Sequence, residues 1–231
     1  MSPDTAMVFA AGRGTRMGAL TADRPKAMIA VAGRPLIDHA LELLAAHGVA
    51  RAVVNTHHVP APLHAHLAAE TRLDVQISHE NELLETGGGL RHALPLLGKG
   101  PVWTLNADAV WRGPNPLAPL AGALPMAAAR LLLVPRAAAR GHTGPGDFFL
   151  EDSGHLRWRG SAPHAPYVYT GLQVIDPAPA ANIPGPAFSL HAIWDQLLDS
   201  RRLFGAVYAG QWCDVGRPEN IALAEAMLRD G

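Results

Sequence analysis

The chain has 231 residues, which is enough for one α/β domain with a substantial core. Its hydrophobic fraction of 48% and charged fraction of 17% indicate a folded chain rather than a disordered one. A net charge of −1 argues against the basic surface that nucleic-acid binding needs, and no apolar run is long enough to cross a bilayer. A single cysteine, Cys213, excludes an internal disulfide framework, and these features together predict a cytoplasmic protein without nucleic-acid or membrane partners.

Short apolar runs alternate with amphipathic stretches through the first half of the chain. The runs predict strands at 6–10, 51–55, 74–78 and 102–105, and the spacing between them predicts helices at 35–47, 60–70 and 86–97. Such alternation is typical of parallel strands joined by crossover helices. We therefore expect an α/β fold with a Rossmann-like, doubly wound, mainly parallel sheet and helices on both faces.

This alternation of predicted strands and helices ends after about residue 125. Predicted strands follow at 131–134, 147–150, 155–158, 167–175 and 204–209, and predicted helices at 189–200 and 218–228. The turn Asp152-Ser153-Gly154 makes a hairpin of the second and third of these strands. We expect the second half to extend the same sheet in antiparallel fashion over a substrate site, within one domain.

A glycine loop directly follows the first predicted strand. It reads Ala10-Ala11-Gly12-Arg13-Gly14-Thr15-Arg16-Met17, and Arg24-Pro25-Lys26 comes a few residues later. Glycines after a buried strand let backbone N–H groups converge on an anion, and the nearby cations add positive charge. The spacing fits neither the Walker nor the dinucleotide pattern. A triphosphate site is the functional interpretation, and a tight turn with surface arginines is the structural one.

Two aspartates follow predicted strands in distant parts of the chain. Asp108 ends Asn106-Ala107-Asp108 after the fourth strand, and Asp214 lies in Trp212-Cys213-Asp214-Val215-Gly216. Each alone could be a turn or cap residue. Two carboxylates that converged through the fold would suit one divalent metal whose remaining ligands are water and phosphate oxygens.

A second glycine cluster, Glu85-Thr86-Gly87-Gly88-Gly89, lies between a predicted strand and a predicted helix. As a structural feature it is a helix N-terminus with Thr86 as its cap. Such a cap still leaves backbone N–H groups free, so the structural interpretation does not exclude a functional one.

These motifs together resemble the signature of the sugar 1-phosphate nucleotidyltransferases, a family with a GT-A-like α/β fold, over residues 7 to about 227. By this resemblance Asp108 and Asp214 would bind Mg²⁺, Arg16 and Lys26 would be catalytic, and Asp147 and Gly171 would bind the sugar. The residues that would bind the nucleotide are Ala11, Gly12, Arg13, Gly14, Lys26, Glu85, Gly87, Gly88 and Asn106. Ala107 departs from the pattern, because the family usually has glycine there.

The resemblance also implies an activity. The single domain 1–231 would bind the nucleotide with residues 1–125 and the sugar with residues 126–231. It would transfer a nucleotidyl group from a nucleoside triphosphate to a sugar 1-phosphate and release pyrophosphate. The second glycine cluster resembles members that use UTP, and the short chain resembles members that act on N-acetylmuramate 1-phosphate. Mannose, glucose or alditol 1-phosphate with GTP, CTP or dTTP, and a catalytically silent nucleotide-sugar-binding domain, are the alternatives.

Overall fold

The computed structural model describes residues 2–122, 124–125 and 128–229. The predicted end of the strand–helix alternation, after about residue 125, falls at residues 126 and 127, which lie outside the described residues. The strands are β1 (Thr5–Phe9), β2 (Ala30–Val31), β3 (Arg34–Pro35), β4 (Arg51–Thr56), β5 (Asp74–His79), β6 (Val102–Asn106), β7 (Ala109–Arg112), β8 (Ala129–Pro135), β9 (Phe148–Leu150), β10 (Leu156–Trp158), β11 (Tyr167–Ile175), β12 (Leu203–Val207) and β13 (Gln211–Asp214). The α-helices are α1 (Leu36–Ala46), α2 (Pro60–Leu67), α3 (Glu85–Leu97), α4 (His191–Asp199) and α5 (Glu219–Arg229).

Strand β1 lies at the centre of the main sheet and runs parallel to both β4 and β6, while β5 runs parallel to β4 on the outer side. Val8 on β1 belongs to the core cluster that includes α1 and α2 residues on one face, and Met7 belongs to the cluster that includes α3 residues on the other. Because side chains alternate along a strand, this burial on both sides requires the continuous apolar runs seen in the sequence. The predicted doubly wound sheet with helices on both faces is confirmed.

The second half of the chain continues this sheet. Strand β11 pairs antiparallel with β6 and with β8, and β9 and β10 form the predicted hairpin beside the beginning of β11. The expectation of a purely antiparallel extension is wrong at β12, which runs parallel to β8. Helix α4 separates β11 from β12 and carries the chain across to the free edge of β8, so β12 pairs there.

A two-stranded ribbon of β7 and β13 lies outside the main sheet and was not predicted. The sequence predicts one strand at 204–209 leading into Asp214, whereas β12 ends at Val207 and the separate strand β13 carries Asp214 at its end. Both ribbon strands are short, and each lies beside a motif whose polar residues mask the apolar alternation. Within the described ranges, no helix combines the length and apolar character that crossing a membrane requires.

Candidate active site

The carboxyl ends of β1, β4, β5 and β6 meet at one edge of the sheet, since these strands are parallel. The glycine loop leaves β1 at this edge, and the side chain of Asn55 on β4 fixes the beginning of the loop by hydrogen bonds. Asn55 Oδ1 accepts hydrogen bonds from the N–H groups of Ala10 (2.7 Å) and Ala11 (3.3 Å). Asn55 Nδ2 in turn donates to Oε1 of the buried Glu80 at 2.7 Å.

Sequence reasoning missed Asn55 and Glu80. The available signal was their place, because each is a polar residue at the end of a strand that leads to the same edge. The buried amide fixes the loop through hydrogen bonds, and the carboxylate fixes the orientation of the amide.

Gly14 brings the loop close to Lys26. Its φ is +62°, and a Cβ at this position would lie 2.9 Å from Thr21 Cγ2 and 3.1 Å from Lys26 Cβ. Glycine is therefore required by both conformation and space. Gly12 differs, since nothing lies within 4 Å of a Cβ built there. The loop is thus tight against the protein at Gly14 and open at Gly12.

Lys26 and Asp108 form an ion pair at this edge, with Lys26 Nζ 2.7 Å from Asp108 Oδ2. The lysine side chain is 12% exposed and the aspartate side chain 33% exposed. Partial burial makes this pair stronger than a surface salt bridge, and it fixes the ammonium at the end of β6.

The β7–β13 ribbon brings the two aspartates together. Asp214 pairs with Ala109 across the ribbon, and the N–H of Val215 donates to the carbonyl of Asp108 at 2.8 Å. Burial, and then the charge of Asp108, raise the pKa of Asp214 to about 6, while Lys26 and Arg16 act in the opposite direction. Arg16, which is exposed, therefore lies close enough to act on the same carboxylate.

This carboxylate pair fits a divalent cation. Desolvation and the negative charge of Asp108 both disfavour ionised Asp214, so a cation between the two would relieve an existing electrostatic cost. No group of three or more His, Cys, Asp or Glu residues in the described part of the chain is arranged to hold a metal. Two carboxylates leave room for water and phosphate oxygens in the shell, which is the arrangement Mg²⁺ prefers at phosphate-transfer sites.

A cavity of about 400 Å³ opens beside this pair. Six residues predicted from the sequence line it, namely Ala11, Gly12, Lys26, Glu85, Asn106 and Asp108. Asn55, Glu80, Leu83 and Ser189 also line it and were not predicted. The structure thus gathers the glycine loop, the ammonium group and one of the two carboxylates around one space.

The second glycine cluster lies at one end of this cavity and packs against the chain before α4. The N–H groups of Gly87 and Gly88 both donate to the carbonyl of Phe188, at 2.8 and 2.9 Å. A Cβ at Gly87 would lie 2.5 Å from the Phe188 ring, so a side chain is excluded there. These glycines have a packing role, and their predicted contact with a base would require Phe188 to move.

Thr86 is not the cap of α3, which begins at Glu85 and has no side-chain cap. Its Oγ1 instead accepts a hydrogen bond from the N–H of Leu190 at 3.0 Å. The competing tertiary contact explains the difference, because a hydroxyl facing the neighbouring helix is no longer available to its own helix end.

The two predicted sugar-binding residues lie on the side of β11. Asp147 Oδ2 accepts a hydrogen bond from the N–H of Tyr169 at 2.9 Å. Gly171 has a φ of +86°, and a Cβ there would lie 2.9 Å from the Asn106 side chain. Gly171 therefore gives Asn106 its room at the site, and neither Asp147 nor Gly171 lines the 400 Å³ cavity.

Ala107, which departs from the family pattern, is compatible with the loop. The non-glycine residues with positive φ in the described ranges are Ala32, Val59, Glu85 and Arg201, and thus Ala107 needs no glycine conformation. Its N–H donates to the carbonyl of Phe9 at 3.1 Å, and its side chain is buried. The methyl group is accommodated without backbone strain.

The sequence profile of the MobA-like NTP transferase domain matches residues 6–154 of this chain. An N-acetylmuramate alpha-1-phosphate uridylyltransferase from Caulobacter vibrioides is 40% identical over 99% of this chain and 98% of its own length. A protein of the same name from Neisseria meningitidis serogroup B is 31% identical over 96% of this chain and 97% of its own. The inositol-1-phosphate CTP transferase structure from T. maritima matches the fold with a TM-score of 0.82 at 15% identity, over 100% of this chain and 98% of that one. The chain therefore belongs to the MobA-like NTP transferase family and, within it, to the sugar 1-phosphate nucleotidyltransferases.

Proposed function

We propose that this nucleotidyltransferase transfers the uridylyl group of UTP to N-acetylmuramate 1-phosphate, with Mg²⁺ as its metal, and releases pyrophosphate. The observation that carries the proposal is the convergence of Lys26, Asp108 and Asp214 beside the glycine loop. The names of the two nearly full-length relatives support the choice of UTP and of N-acetylmuramate 1-phosphate. The product would be a cell-wall precursor for recycling, made in the cytoplasm.

The triphosphate would bind against the open part of the glycine loop. Ala10 and Ala11 donate their N–H groups to Asn55, so the loop donors left for phosphate begin at Gly12 and continue through Arg13 and Gly14. The space beside Gly12 allows close approach of phosphate oxygens to the backbone. Ala11 would contribute the wall of the cavity, which it lines.

The reaction would be an in-line displacement at the α-phosphorus. A phosphate oxygen of the acceptor forms the new P–O bond while the bond to the pyrophosphate oxygen breaks, and no general base is needed because the nucleophile is already an anion. Lys26 stabilises the charge at the α-phosphate, and Arg16 stabilises the departing pyrophosphate. Asp108 and Asp214 would hold Mg²⁺, which supplies further charge neutralisation at the reacting phosphates when bound.

Base and sugar recognition would use the two ends of the site. We propose that Glu85 faces the uracil edge and that Asn106 contacts the nucleotide. Gly87 and Gly88 would join Glu85 there only after a movement of Phe188, whose carbonyl accepts from both of their N–H groups. Asp147 would accept hydrogen bonds from sugar hydroxyls, and Gly171 would serve the sugar site by leaving room for the Asn106 side chain. Among these residues Glu85 and Asn106 line the cavity, which supports their roles.

The test is pyrophosphate release from UTP and N-acetylmuramate 1-phosphate in the presence of Mg²⁺. We expect Lys26→Met and Asp108→Asn each to lower kcat/KM by roughly a thousandfold, since each removes a charge at the reacting phosphates. Lys99→Met, which removes an exposed lysine, is the matched control and should retain wild-type activity.

Near-normal rates in both site variants would refute the assignment. A panel of GTP, CTP and dTTP with mannose, glucose and alditol 1-phosphates tests the alternative substrates. A silent binding domain would bind a nucleotide sugar without releasing pyrophosphate from any pair.

A further inference from the structure

A second cavity, of about 420 Å³, lies beside the candidate active site on the β9–β10 side of the sheet. Asp147 lines it, and so do Trp158, Arg159, His191 and Asp195. Ser189 lines the first cavity, and His191, two residues later, lines the second. The chain around the beginning of α4 therefore borders both spaces, and an acceptor sugar at the first cavity could extend a substituent into the second.

The wall of this second cavity is aromatic and held in place. Trp158 stacks on Phe148 with ring centroids 4.3 Å apart and an interplanar angle of 18°. Its indole N–H donates to Asp195 Oδ1 at 2.7 Å, and the ring of His191 lies edge-on at 5.1 Å. A fixed indole face next to hydrogen-bonding groups suits a ligand that is apolar on one side and polar at its rim, as a substituted sugar is.

Arg159 brings a positive charge to this cavity. Its Nε donates to the carbonyl of Gly146 at 3.2 Å, and its Nη1 donates to the carbonyls of Gly160 (3.2 Å) and Ala162 (2.8 Å). All three acceptors are neutral, and none of the ion pairs between described residues includes Arg159. The guanidinium is thus fixed in direction, and its charge is not neutralised by a direct ion pair.

The two carboxylates of the cavity are already engaged with donors of the protein. One oxygen of Asp147 accepts from the N–H of Tyr169, and one oxygen of Asp195 accepts from Trp158. Their remaining oxygens suit the hydroxyl and amide N–H groups of a sugar. A neutral sugar would use these acceptors and leave Arg159 without a counterpart, whereas an acidic substituent would match it.

We infer that Arg159 selects acceptor sugars that carry a carboxylate, by pairing with that group in the second cavity. This inference rests on the proposed function, and it assigns the lactyl carboxylate of N-acetylmuramate 1-phosphate to Arg159. The 1-phosphate of the same molecule points to Lys26, so the two anionic groups of the acceptor meet cations from different elements. Selectivity follows, because a sugar without the acid group forgoes one charge-assisted contact.

The experiment compares N-acetylmuramate 1-phosphate with its neutral lactyl amide as acceptors, using UTP and pyrophosphate release. We expect the wild type to prefer the acid by about tenfold to a hundredfold in kcat/KM, the range of one charge-assisted contact. Arg159→Gln should lose this preference by lowering kcat/KM for the acid alone, and Arg159→Lys should restore part of it. Arg157→Gln is the matched control, because Arg157 lies over the Phe149 ring at 4.1 Å and does not line the cavity.

Equal loss with both acceptors in Arg159→Gln would overturn the inference, since it would place Arg159 at the phosphate or in the fold. A wild type that uses acid and amide equally would overturn it without any variant, so a poorly folding variant leaves the test decisive. Either result leaves the proposed transfer intact. Absence of pyrophosphate release with every acceptor would instead refute the proposed function.

Discussion

Asp214→Asn should stabilise the metal-free protein at neutral and alkaline pH, although it removes a proposed metal ligand. The pKa of Asp214 is raised from an ordinary 3.8 to about 6, first by burial and then by Asp108. A folded-state pKa above the unfolded value means that the protonated carboxyl favours the fold. This contribution is fully present below pH 3.8 and is lost as the pH rises through about 6.

The cost of ionised Asp214 is at most about 3 kcal/mol near pH 8 and about 1.5 kcal/mol near pH 5, because each pKa unit corresponds to about 1.4 kcal/mol. Partial exposure of the side chain reduces both values. Asparagine keeps the shape and carries no charge. The stability gain of Asp214→Asn should therefore be larger near pH 8 than near pH 5 by roughly 1 kcal/mol.

Urea unfolding in a chelator at the two pH values measures this difference. Asp74→Asn is the control, since Asp74 is exposed and its pKa is lowered by the hydrogen bond from Arg51, so its removal should give no gain near pH 8. Adding Mg²⁺ should stabilise the wild type and not Asp214→Asn. The reasoning is refuted if Asp214→Asn is less stable than the wild type near pH 8, or if its gain is the same at both pH values.

Two further predictions concern the loops around the cavity. Asn55→Ala leaves the N–H groups of Ala10 and Ala11 without their acceptor. We expect the free energy of unfolding in urea to fall by about 2 kcal/mol and the KM for UTP to rise. Unchanged stability would mean that the loop keeps its conformation without Asn55. Gly87→Ala should lower the melting temperature in calorimetry, because its Cβ would lie 2.5 Å from the Phe188 ring. Gly12→Ala, with nothing within 4 Å of its Cβ, should melt near the wild-type temperature and raise the KM for UTP. Equal melting temperatures for the two glycine variants would contradict the packing role of Gly87.

The sequence predicted the features that local chemistry determines. The apolar run before Gly12 indicates a strand buried on both faces, and β1 has that property. The spacing of Ile37, Ala40, Leu41 and Leu44 indicates one apolar helix face, and α1 buries that face in the core cluster that includes Ala6 and Val8 of β1. Such patterns repeat within a few residues, so no distant partner is needed to recognise them.

Features that depend on distant partners were mispredicted or missed. The sequence predicts Thr86 as a helix cap, but in the structure its hydroxyl accepts from the N–H of Leu190. The sequence also leaves the N–H groups of Gly87 and Gly88 free, whereas both donate to the carbonyl of Phe188. Asn55 and Glu80 are unremarkable polar residues in the sequence, and they matter because β4 and β5 end beside the glycine loop.

The sequence by itself determined the order of the main-sheet strands and the α-helices, the glycine loop with its cations, and the two candidate aspartates. Only the tertiary structure decided that Asp108 and Asp214 share one place, because the pairing of β7 with β13 joins segments far apart in the chain. It also decided that Lys26 faces Asp108 and that Arg159 lines a cavity beside Asp147. The physical reason is that carboxylate pairing, burial and cavity shape depend on which residues are neighbours in space. The sequence gives directly only which residues are neighbours along the chain.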